Sequence, residues 1–118
     1  MNKPTNLATR EELKEFFAKG APKQGCAYMP IGTIGDRVWY AVTSTWDGYP
    51  YARIAYLYGN DVNDFYNGNG WDGAIIVDEN GKWDDDYNDA GLTAFDKRYA
   101  DDVAEWALAR FARLAIEF

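Results

Sequence analysis

Two alternating runs, residues 37–45 (RVWYAVTST) and 51–58 (YARIAYLY), constrain the fold of this chain more than any other feature. Both are rich in β-branched and aromatic side chains, and their period of two places successive side chains on opposite faces of a sheet. The intervening WDGYP supplies Asp47-Gly48 and Pro50 as turn formers, so the pair reads as a β-hairpin. Residues 74–78 (AIIVD) read as a third strand, closing through Asn80-Gly81 into a short Lys82-Trp83 segment. Such a loop sets Glu79 beside Lys82 as a favourable cross-strand pair. The aspartates that follow suit strands poorly and keep the return strand short.

Helical signals flank these strands. Thr9 followed by Glu12 forms a capping-box pattern, Leu13, Phe16 and Phe17 share one helical face, and Gly20 with Pro22 ends the run. Asp101 or Asp102 caps a final helix in which Val103, Trp106, Ala107, Phe111, Leu114 and Phe118 recur at steps of three and four, with Arg110 among them. The segment GLTAFDKRYA between strands and helix is expected to add a helical turn or two. Trp-Asp-Gly at 46–48 and 71–73 reflects shared turn chemistry rather than an internal repeat. The expected fold is α+β: an N-terminal helix, an antiparallel sheet of about three to five strands, and a C-terminal helix packed on the sheet. At 118 residues, one domain over 1–118 is expected, hiding roughly two-thirds of its unfolded surface.

Several kinds of chemistry lack their residues. The chain has no histidine, which removes Ser-His-Asp and Cys-His catalysis and histidine metal ligation. Ser44 is the only serine and falls in an expected strand. Cys26 is the only cysteine, so neither an internal disulfide nor a cysteine-built zinc site can form, and it reads as a small buried apolar residue. Glycines in GTIGDR and YNGNGWDG lack the lysine-serine pair and following helix of a phosphate loop. Neither Asp78 nor Asp84 starts an EF-hand loop: Lys82 and Trp83 spoil the first register, Asp89 and Phe95 the second. An irregular calcium site in 84–89 is a remaining use for clustered aspartates. No carboxylate pair stands out for glycoside hydrolysis, so no enzymatic activity and no cofactor are expected. The N-terminus has no apolar run of signal-peptide length and no 18-residue apolar span occurs, so a cytoplasmic setting is expected, the host cytoplasm if the chain is phage-encoded.

Charge is the informative remainder. The net value is −7, and it is unevenly placed. Residues 60–90 hold Asp61, Asp64, Asp72, Asp78, Glu79, Asp84, Asp85, Asp86 and Asp89 against Lys82, nine acids to one base. Residues 1–59 carry seven bases and five acids, and residues 91–118 four bases and five acids. A localised block makes a directional field, which even acidity does not. Phe65, Tyr66, Trp71, Trp83 and Tyr87 are interleaved with these carboxylates. Guanidinium groups pair with carboxylates and stack on rings, so a basic protein groove could grip such a surface. The same charge opposes direct nucleic-acid binding.

The leading expectation is a non-catalytic inhibitor of a basic nucleic-acid-handling protein, acting partly as a nucleic-acid mimic. That is the general character of small anti-restriction and anti-CRISPR proteins and of immunity proteins against nuclease toxins. The expected contact charges are Asp84, Asp85, Asp86 and Asp89, supported by Asp61, Asp64 and Asp72, with Trp83 and Tyr87 as ring anchors. The bland alternative makes these aspartates solvated turn residues and Trp83 a core residue. A small carbohydrate-binding module is the competing class, with Trp46, Asp47, Tyr49, Trp71 and Asp72 presented from turns. A plain protein-interaction domain is the third. No membrane partner is expected, and the oligomeric state stays open, with YARIAYLY a candidate dimerising edge.

Overall fold

The computed structural model describes residues 3–46, 49–56, 71–72, 93–95 and 97–117. Strand β1 (Pro4–Asn6) leads into helix α1 (Arg10–Ala18), whose start follows the expected capping box. The Glu12 N–H donates to Thr9 Oγ1 at 3.1 Å, and the Thr9 N–H donates to Glu12 Oε1 at 2.9 Å. These reciprocal bonds satisfy two backbone donors that a helix start otherwise leaves open. Gly20, at φ +73°, ends the helix with its N–H on the Phe17 carbonyl at 3.0 Å. Leu13 and Phe17 are fully buried, and Phe16 meets Phe17 edge-on.

Four longer elements follow: β2 (Cys26–Ile34), β3 (Arg37–Trp46), β4 (Tyr49–Tyr56) and, at the C-terminus, helix α2 (Ala100–Glu117). Two short strands, β5 (Trp71–Asp72) and β6 (Thr93–Ala94), complete the described sheet, and a 3₁₀ turn at Lys97–Tyr99 precedes α2. Every pairing is antiparallel, in the order β1-β2-β3-β4, with β5 and β6 both on β4. The class is therefore α+β, as the order of sequence patterns predicts.

The hairpin expected from the alternation is β3–β4, in register from Trp39↔Tyr56 to Trp46↔Tyr49. Pro50 departs from expectation: it lies inside β4 opposite Thr45, not in the turn. GLTAFDKRYA adds the expected helical turn, as the 3₁₀ turn Lys97–Tyr99 and the first residue of α2, and it also supplies β6, which was not expected. Strands expected at 74–78 and 82–83 lie outside the described residues. Residues 51–52 and 54–55 have partners on both sides, so this part of YARIAYLY is not an open edge.

Strands β1 and β2 have no counterpart in the sequence reading. Pro30 and Gly32 interrupt the CAYMPIGTI pattern and look like strand breakers. They occupy the positions where a strand admits such residues. The β2–β3 register shifts between Pro30 and Gly32, a bulge that leaves Ile31 without an opposite number. Gly32 is required by close approach: an added Cβ would meet the Phe111 ring and the Thr5 carbonyl oxygen. Gly35, at φ +64°, opens the two-residue turn that sets Ile34 against Arg37.

Both helices pack on one face of the sheet. Ile31, Ile34, Trp39, Ala41, Ala52, Ile54 and Tyr56 meet Leu13 and Phe17 of α1 and Val103, Ala107, Phe111 and Leu114 of α2 in one buried cluster. Trp106 is only half-buried, and Ala104 and Ala115 join the core. Each large apolar side chain buried this way contributes about 1.5–3 kcal/mol. The Trp39 and Tyr56 rings meet edge-on with centroids 4.6 Å apart, and the Arg37 guanidinium lies 4.0 Å from the Tyr56 centroid. Arg10 bridges the helices on the outside, reaching Asp101 at 3.2 Å and Glu105 at 3.5 Å. No helix among the described residues is long and apolar enough to cross a membrane.

Candidate functional site

Strand β4 is where the acidic stretch joins the folded body. One side of β4 pairs with β3 along its whole length. On the other side, Ala55 and Ile54 pair with Trp71 and Asp72, and Ala52 and Tyr51 pair with Thr93 and Ala94. The Phe95 N–H then donates to the Pro50 carbonyl at 2.9 Å. The chain therefore leaves β4 at Tyr56, returns to it at 71–72, and returns again at 93–94. All nine acids of the 60–90 block belong to the chain between the first and last of these attachments.

Of the expected contact residues, Asp72 is the one whose backbone is described: it sits in β5, in register with Ile54. Asp61, Asp64, Trp83, Asp84, Asp85, Asp86, Tyr87 and Asp89 lie outside the described residues, as do residues 84–89 as a calcium site. Among the described residues, no group of three or more acids or cysteines is placed to hold a metal ion.

Of the residues named for a sugar platform, Asp47 lies outside the described residues and the other four are placed by their strand pairings. Trp46 and Tyr49 pair at the turn end of the hairpin, whereas Trp71 and Asp72 pair with Ala55 and Ile54. From Tyr49 to Ile54 is five strand residues, about 16 Å of backbone at the usual rise.

The sheet face turned away from the helices holds an arrangement that the sequence patterns do not declare. The pairings put Cys26, Ser44 and Tyr51 in one row across it, and Tyr28, Val42 and Arg53 in the next. Val42 and Ala55 are fully buried there, and Arg53 is only 5% exposed. Burial pushes the Arg53 pKa below its ordinary value, and nearby Cys26 pulls it back up. The Tyr28 and Tyr40 rings meet edge-on at 5.8 Å. A buried guanidinium offers a planar fork of donors suited to a carboxylate or phosphate. The available signal was positional, since Arg53 is the only basic residue between Arg37 and Lys82 and sits within an otherwise apolar strand.

No family model matches this chain, and no curated protein or solved structure matches it.

Proposed function

We propose that this chain is a non-catalytic acidic protein that binds and inhibits a basic nucleic-acid-handling protein, a nuclease or another nucleic-acid-binding enzyme, by occupying its groove. One observation carries this reading. Nine acids against one base fall in a single stretch, residues 60–90, whose chain pairs with one side of β4 at 71–72 and again just beyond it at 93–94. Duplex DNA carries a negative charge every ~1.7 Å of its axis, and its enzymes bear grooves built for that field. Attachment of the flanking chain to one strand shortens the loops that carry the acids, and shorter loops cost less entropy to order on binding. Asp84, Asp85, Asp86 and Asp89 serve as contact charges, Asp61, Asp64 and Asp72 as support, and Trp83 and Tyr87 as stacking anchors. The protein itself binds no nucleic acid, acts in the cytoplasm and uses no cofactor in this reading.

The test is capture from a bacterial lysate at low and high salt, with wild type beside the Asp84/Asp85/Asp86→Asn variant. The captured protein is then assayed for DNA binding with and without this chain. Retention by wild type alone, release by salt and mutual exclusion with duplex DNA support mimicry. Identical capture by both forms at both salts, or a captured protein that holds DNA and this chain together, overturns it.

A further inference from the structure

We draw no further inference here: the strongest candidate, the sheet face opposite the helices with Arg53 buried near Cys26 and flanked by Tyr28, Tyr40 and Tyr51, carries nothing because no described element shows what covers it.

Discussion

Gly32 of β2 lies against the Phe111 ring of α2 so closely that a single added carbon has nowhere to go. A Cβ there would also stand 2.6 Å from the Thr5 carbonyl oxygen, which belongs to the neighbouring strand and cannot rotate away. Helix, bulged strand and N-terminal strand thus converge on one missing side chain. Gly32→Ala is expected to destabilise the fold by about 2–3 kcal/mol, the upper range for overpacking. Urea denaturation should show a lower midpoint. Pairing it with Phe111→Leu should recover part of the loss, because only the ring contact is relieved and the Thr5 clash persists. Full stability in the single variant would mean that α2 does not rest on the bulge.

Thr43 is fully buried on β3, and its hydroxyl has no hydrogen-bond partner among the described residues. A buried, unsatisfied hydroxyl costs free energy that an apolar group of the same shape does not. Thr43→Val should therefore raise stability by about 1 kcal/mol, seen as a higher melting temperature in calorimetry. A loss of stability of that size would show that the hydroxyl is satisfied in solution.

The capping box on α1 gives a graded expectation. Thr9→Ala removes the acceptor for the Glu12 N–H and should cost about 1 kcal/mol. Glu12→Ala removes the reciprocal bond and should cost less. By contrast, Asp101→Asn breaks an exposed ion pair with Arg10 and should change stability by under about 0.5 kcal/mol. Chemical denaturation of the three variants would check their order.

For the proposed inhibition, the charge variant makes a quantitative expectation. Against an isolated target, Asp84/Asp85/Asp86→Asn should weaken binding at least about tenfold at low salt, and the difference should shrink as screening shortens the range of the field. Titration calorimetry across a salt series reads this directly. A salt-independent affinity, unchanged in the variant, would move the contact from the acidic stretch to the rest of the surface.

The elements legible in the sequence are those whose signals are local. The Thr9–Glu12 box, the period-two runs of β3 and β4 and the three-four spacing of α2 each declare themselves within a few residues. β2 was hidden because Pro30 and Gly32 are breakers by type. What rescues them is a bulge and the Phe111 ring, nearly eighty residues downstream in the chain. Pro50 misled in the opposite direction, as a turn former placed within a strand. Of the candidate site, the charge was plain from composition. Its attachment to β4 was not, since strands of two residues have no periodicity to read. The burial of Arg53 was not legible, because one base in an alternating run does not show how its neighbours cover it.

The double flanking of β4 has a consequence for how this protein behaves when crowded. The ribbon YPYARIAY is rich in tyrosine, and a strand whose backbone groups are free is a template for foreign strands. Here its hydrogen-bonding groups face β3 on one side and two short strands on the other. The pieces that bring in the repelling carboxylates are the same pieces that block the template. The backbone of β4 is thus closed to a foreign strand on both sides along much of its length.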